Sequence, residues 1–382
     1  MRNVDGYIRS WFGRFERLTP RCPDPWLAVP AGALLVLGLL MALDTTYFLG
    51  EAKTGDGFHY FRLHLVHIAA GLAIGLVLSQ LSLVGLRRLV MPLGLIAIAL
   101  LIMIWIPGLG VVRGGARRWV RLGPVLAEPS ELVKFALVFF LAALLERRQE
   151  RMTTFAEGAL PAFAIVTPLA LMTLRQPDFG ATVMIALILF AMLFAAGARL
   201  KHLALAGGGA LAVLAILVVV KPYRLRRLAG FMDPWRTAQD AGFQLMQSFM
   251  ALGAGGIWGQ GLGGGRQKMF YLPAAHTDFV FAVVTEDLGL IGAAAVLALF
   301  TMILIRGMRI AHDEPDGFAS LLTIGLTVLL TLQALINMAV VIGLVPTKGL
   351  PLPFLSYGGT STVMTLAALG ALLALSRRPA VR

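Results

Sequence analysis

Near residue 278 the chain sets an imidazole and a carboxylate beside apolar sequence, in Tyr271-Leu272-Pro273-Ala274-Ala275-His276-Thr277-Asp278-Phe279. Asp278 has two readings. As a helix N-cap it accepts backbone N–H bonds, worth about 1 kcal/mol. As a general base it gains from Phe279, Val280 and Phe281, whose apolar character raises a carboxyl pKa toward working pH. His276 is a competing base, or more simply a hydrogen-bonded neighbour.

Cations gather in two loops. One carries Arg113, Arg117, Arg118 and Arg121; the other carries Arg224, Arg226, Arg227, Arg236, Arg266 and Lys268. So many positive charges suit the binding of a polyanion. Between Gly253 and Gly265 lies a glycine tract with a literal G-x-G-x-x-G at Gly259, Gly261 and Gly264. A dinucleotide reading fails because no strand precedes the tract, and Arg266-Gln267-Lys268 does not complete a Walker loop. Tight turns remain, or backbone N–H groups approaching a phosphate.

Several other polar groups sit against apolar runs. Lys134, in Pro129-Ser130-Glu131-Leu132-Val133-Lys134, either pairs with Glu131 at i, i+3 or serves a bound lipid head group. Asp178, in Arg175-Gln176-Pro177-Asp178-Phe179-Gly180, either caps the following helix or acts as a second carboxylate or cation ligand. Lys348, in the turn-rich stretch leading to Pro353-Phe354-Leu355-Ser356-Tyr357-Gly358-Gly359, belongs to an irregular loop or to a wall of the site. His64 and His67 are three apart without a convergent third ligand, so no metal site is assigned to them.

The elements that must position these groups are membrane spans. Of 382 residues, 58% are hydrophobic and 14% charged, with a mean hydropathy of +0.82. The fold class is all-α and polytopic, with ten spans near 26–48, 62–82, 89–107, 128–146, 156–174, 179–197, 200–221, 288–308, 318–345 and 355–376. A basic segment, 1–25, precedes them, and its polarity makes the first span a retained signal anchor. A tail, 377–382, follows, and a large structured loop, 222–287, separates spans seven and eight. The single cysteine, Cys22, excludes an internal disulfide framework.

Charge orients the chain. Arg87-Arg88, Arg147-Arg148 with Arg151, Arg199 with Lys201, Arg306 with Arg309, and Arg377-Arg378 all fall on the side of the basic N-terminus. That side is expected to be cytoplasmic, with both termini there. The net charge of +13 follows this alternation instead of forming a basic face, which argues against nucleic acid. The two arginine-rich loops above break the alternation, and function is expected at their extracytoplasmic face. Asp278 to Met308, as one upright helix, would span about 46 Å. Thr277 to Asp287 is therefore expected as a helical segment on the outer face, with the crossing starting near Leu288 and with Glu286 and Asp287 out of hydrocarbon.

Taken in order, these blocks resemble the SEDS family (shape, elongation, division and sporulation). The resemblance rests on Gly115-Ala116-Arg117-Arg118-Trp119, Pro129-Ser130-Glu131-x-x-Lys134, Gln176-Pro177-Asp178-x-Gly180 and Phe231-Met232-Asp233-Pro234-Trp235. It continues through the glycine tract, His276-Thr277-Asp278-Phe279 and Pro351-Leu352-Pro353-Phe354-x-Ser356-Tyr357-Gly358-Gly359. Gln267 to Pro273 and Pro346 to Pro351 resemble the division (FtsW-like) branch more than the elongation (RodA-like) branch. Ala274-Ala275 departs from the family pattern, where a charged residue is common before the histidine.

The resemblance implies a peptidoglycan glycosyltransferase of the inner membrane, active in cell division or cell shape, that polymerises lipid II. It also implies a class B penicillin-binding protein transpeptidase and other divisome proteins as partners. Asp278 matches the family's essential aspartate. Arg117, Arg118, Lys134, Arg224, Arg226, Arg227, Lys268, His276 and Lys348 are then the candidates for binding substrate and diphosphate, with Glu131, Asp178 and Ser356 in support. No cofactor is required, since the diphosphate leaving group is already activated, though a divalent cation has room to share its charge. Two alternatives stand beside this reading: a flippase moving lipid II across the membrane, and a non-catalytic scaffold for the transpeptidase. The ionisable residues cluster at one face and do not line a path, which favours the enzyme.

Overall fold

The structure, a computed structural model, describes residues 23–377 apart from 114, 124 and 221. The expected segments 1–25 and 377–382 lie almost wholly outside the described residues. The helices are α1 (Pro25–Thr54), α2 (His59–Ser79), α3 (Leu83–Met103), α4 (Pro129–Glu146), α5 (Leu160–Arg175) and α6 (Phe179–Ala195). They continue as α7 (Leu200–Val219), α8 (Pro222–Met232), α9 (Phe243–Gly255), α10 (Val280–Asp313), α11 (Gly317–Val341) and α12 (Gly359–Ser376). Short polar side chains start several of them by accepting a first-turn N–H: Asp24 for α1, Ser82 for α3, Asp178 for α6 and Asp316 for α11.

Among the described residues, eight helices are long and apolar enough to cross a membrane. Two of the ten expected spans fall outside that group. One is α6, apolar but 17 residues long. The other is α4, which carries Glu131, Lys134 and Glu146 along its 18 residues. Charge in α4 is tolerated because the helix is central, packed against α3, α6 and α11. Around this centre, α10 packs on α1, α9 and α11, and α12 packs on α2. The α2–α12 contact is close because both sides are glycine: a Cβ added at Gly370 would lie 2.1 Å from the Gly75 carbonyl oxygen. By contrast, α7 has few neighbours and stands at the edge.

The all-α membrane bundle stands, with one addition outside the helices. The first arginine-rich loop folds as a small antiparallel sheet, with β1 (Gly110–Arg113), β2 (Ala116–Leu122) and β3 (Val125–Ala127) in that order. Alternating valine, tryptophan and arginine suit a half-exposed hairpin, and Gly115 and Gly123 supply positive φ beside its turns.

The two ends of the bundle differ. At one end Arg87 bonds Glu146 at 2.5 and 2.7 Å and Asp316 at 3.0 Å. There too Arg306 donates to Asp24 at 2.7 Å and Arg377 to Gln80 at 3.2 Å. These residues mark the starts of α1, α3 and α11 and the ends of α2, α4 and α12, as alternating crossings require. The sheet, the loop before α12 and the approach to α10 lie at the opposite end.

Helix α10 breaks at Gly289, whose φ of 67° and ψ of −166° suit only glycine. The helical segment before a crossing near residue 288 is therefore present, but it does not lie on an outer surface. Val280 through Asp287 are all buried. The freed backbone is paired by the glycine tract: Gln260 N bonds Glu286 O at 3.0 Å, Gly261 N bonds Asp287 O at 3.0 Å, and Leu290 N bonds Gly256 O at 2.9 Å. Irregular backbone is tolerated at such depth when protein satisfies it.

Candidate active site

The glycine tract does cradle anions, and they are the chain's own. Gly265 N donates to Asp287 at 2.9 Å, and Arg266 N and Gln267 N donate to Glu286 at 2.9 and 3.2 Å. Lys268, with its side chain fully buried, bonds Asp44 at 2.6 Å and Asp287 at 3.0 Å. This overturns Lys268 as a diphosphate ligand, because its ammonium is committed to two carboxylates. It also explains how Glu286 and Asp287 are accommodated inside the protein.

Lys134 is corrected in the same way. It is 0% exposed and bonds Glu131 at 2.7 Å and Gln333 at 2.8 Å. The i, i+3 pair with Glu131 is the reading that holds, and the ammonium is occupied by Glu131 and Gln333. Arg117 donates to the Ile106 carbonyl at 3.3 Å and so anchors the sheet to the end of α3. Arg226 is exposed on α8.

The remaining candidates converge. Asp278 sits between the kinked turn Gln267–Tyr271 and α10, and it does not cap that helix: Phe279 holds the N-cap position with no side-chain bond. The N-cap reading of Asp278 therefore falls. Among the described residues, no donor reaches its carboxylate within hydrogen-bonding distance. Burial pushes its pKa up to about 6, while Arg118 and Arg227 pull it down and Asp178 pushes it up. Arg118 lies 3.9 Å from Asp178 and donates to the Pro177 carbonyl. Asp178 is the α6 cap, accepting from Ala181 N at 3.1 Å, and it also pairs with a site arginine.

Across the site, Arg224 and Lys348 share one aromatic ring, lying 5.4 and 5.3 Å from the centroid of Phe179. Arg224 also donates to the Leu217 carbonyl at 2.7 Å, and Arg227 to the Thr347 carbonyl at 3.4 Å. These contacts bring α8 and the loop before α12 onto the N-terminus of α6. Burial lowers the pKa of Lys348. Burial, and then the charge of Lys53, lower that of His276 to about 4, which leaves a neutral imidazole at pH 7.

Hydrogen bonds hold the backbone around Asp278. Tyr357 N donates to the His276 carbonyl at 2.8 Å, Ser356 Oγ to the Thr277 carbonyl at 2.5 Å, and Asn337 Nδ2 to the Asp278 carbonyl at 2.8 Å. Sequence reasoning included Ser356 and missed Phe179, Gln333 and Asn337. A polar residue within an apolar run was the available signal for the last two.

Among the described residues, no three His, Cys, Asp or Glu side chains are arranged to hold a metal ion. His64 packs 5.2 Å from the Tyr357 ring, while His67 lies against Gly359. Chemically, the site offers a carboxylate with no hydrogen-bond donor among the described residues, in the field of Arg118 from β2 and Arg227 from α8. It suits deprotonating a hydroxyl beside an anionic leaving group.

Residues 26–380 match the family model for the cell cycle proteins FtsW, RodA and SpoVE. A probable peptidoglycan glycosyltransferase FtsW from Geobacter sulfurreducens is 41% identical over 355 residues, covering 93% of this chain and 95% of the relative. Stage V sporulation protein E of Bacillus subtilis is 38% identical, covering 93% and 97%. A chain from the structure of a peptidoglycan synthase complex, in which polymerization and crosslinking are coordinated, superposes with a TM-score of 0.76 at 31% identity, covering 93% and 98%. The rod shape determining protein RodA of Thermus thermophilus superposes with a TM-score of 0.67 at 29% identity, covering 93% and 97%.

Proposed function

The chain belongs to the FtsW/RodA/SpoVE family of cell cycle proteins, and on that premise we infer that it is a peptidoglycan glycosyltransferase of septal cell-wall synthesis, with Asp278 as its base. The substrate is lipid II, a disaccharide-pentapeptide on undecaprenyl diphosphate. The observation that carries the reading is the half-buried Asp278 carboxylate, uncapped and within the field of Arg118 and Arg227.

In the reaction, the 4-hydroxyl oxygen of a GlcNAc attacks the anomeric carbon of a second molecule and inverts it. Asp278 takes the hydroxyl proton as the new C–O bond forms. The bond from the anomeric carbon to the diphosphate oxygen breaks, and its electron pair leaves with the undecaprenyl diphosphate. Negative charge then grows on that group, and Arg118, Arg224, Arg227 and Lys348 stabilise it more in the transition state than in the ground state. His276, neutral at pH 7, lines the approach.

The basic ends of the helices support an orientation with both termini cytoplasmic and the Asp278 end outside the cytoplasmic membrane. A class B penicillin-binding protein is the transpeptidase proposed to act with it, alongside other division proteins.

The test is polymerisation of lipid II by the purified protein in detergent, for wild type and Asp278→Asn. Glycan product with no bilayer to cross supports the enzyme over a flippase. Loss of about 100- to 10,000-fold in the variant, with partner binding retained, supports the base over a scaffold. Equal product from both proteins would remove Asp278 from the chemistry.

A further inference from the structure

Three buried polar side chains have no part in that reaction: Lys134, Gln333 and Asn337. Gln333 and Asn337 stand one turn apart on the same face of α11 and are 3% and 1% exposed. Each holds one of two adjacent peptide carbonyls in the loop before α12. Gln333 Nε2 donates to Pro351 O at 2.9 Å, and Asn337 Nδ2 donates to Leu350 O at 2.7 Å. Asn337 Nδ2 donates as well to Asp278 O at 2.8 Å. On the far side, Gln333 Oε1 accepts from Lys134, which is held in turn by Glu131. Because both Asn337 contacts are carbonyls, only its NH₂ group can face them.

Three consecutive carbonyls, His276, Thr277 and Asp278, are therefore each bonded from outside their own segment. Two of the donors, Tyr357 N and Ser356 Oγ, ride on the same loop, whose Leu350 and Pro351 carbonyls Asn337 and Gln333 hold. Asn337 bonds both the loop, at the Leu350 carbonyl, and the carbonyl of Asp278 itself. Amides buried in a membrane bundle are costly unless they are used; here the NH₂ groups are used on the loop and on the Asp278 carbonyl, while Asn337 Oδ1 has no partner among the described residues.

We propose that Asn337 is a positioning residue that clamps the Asp278 peptide to the Leu350–Pro351 turn, with Gln333 and the Lys134–Glu131 pair fixing the register of the clamp. This rests on Asp278 being the base, and it assigns the buried lysine a mechanical role in place of a ligand-binding one.

The test compares the full-length protein with Asn337→Leu, which removes both donors at similar size. A second variant, Gln333→Glu, keeps a partner for Lys134 and removes only the donor to Pro351. Lipid II polymerisation and amide hydrogen exchange over 274–280 and 346–357 are measured together. The expected result is a fall in kcat of about 10- to 100-fold, with KM changed by no more than about twofold. Exchange rises in both segments while α4 and α12 stay protected. Unchanged exchange in those segments, an unchanged kcat, or exchange rising across the whole chain would overturn the clamp. If wild type itself makes no polymer, the enzyme reading fails, and the exchange data alone then uphold or overturn the clamp.

Discussion

The carboxylate of Asp278 lies against the bare α-carbon of Gly349, where an added Cβ would come within 3.1 Å of Oδ2. Gly349 thus leaves the room in which the proposed base sits, between Lys348 and Leu350. Gly349→Ala is expected to displace the carboxylate by a few tenths of an ångström without disturbing the bundle. Polymerisation kcat should fall about tenfold or more, with an unchanged yield of folded protein. A variant with parental kcat would show that the carboxylate has slack.

The acid limb of activity reports the charge around Asp278. Its carboxyl titrates at about 6, and only the ionised form accepts a proton, so kcat/KM should fall as pH drops below that value. Asp178→Asn keeps a competent helix cap but removes a negative charge that pushes Asp278 up, so the limb should move to lower pH. Arg118→Gln removes a charge that pulls Asp278 down, so the limb should move to higher pH. pH profiles of the three proteins decide this, and shifts of the same sign would refute it.

The same shift predicts a trade between stability and activity. The folded carboxyl holds its proton to about pH 6, against an ordinary 3.8, so folding loses stability as pH rises through that window. Asp278→Asn escapes the loss. Its melting temperature in detergent should exceed that of wild type at pH 7.5 and match it below pH 4.

An alkaline limb should belong to Lys348, whose burial lowers its pKa and whose charge the proposed mechanism needs beside the leaving group. Lys348→Arg remains cationic at any working pH. The variant should keep its activity at alkaline pH while wild type declines. An identical decline in both assigns that limb to another group.

Lys268→Met separates structure from catalysis. It strands Asp44 and Asp287 without their cation, at a cost of about 3–5 kcal/mol. The expected outcome is a sharp loss of folded protein, measured by detergent size-exclusion chromatography, and not a raised KM. Adding Asp287→Asn should recover part of the yield.

Much of this molecule could be read along the chain. Apolar run length and the alternation of basic loops are one-dimensional signals, and every expected span is a helix here. The break near residue 288 followed from the same arithmetic, because an unbroken helix from Asp278 would have outrun the bilayer. The motif order around Asp278 and Asp178 likewise marked the end of the bundle where the candidate site gathers.

Which cations face Asp278 was not legible, because sequence reveals a charge but not its partner. Lys134, Lys268 and Arg117 resemble Arg118 and Lys348 as residues, yet the first two close buried ion pairs and the third ties down a sheet. Hydropathy and spacing settled that this chain crosses a membrane and carries a carboxylate at one end. Only packing, by setting which groups lie within a few ångströms of each other, decided which charges are consumed inside the protein and which are left for a ligand.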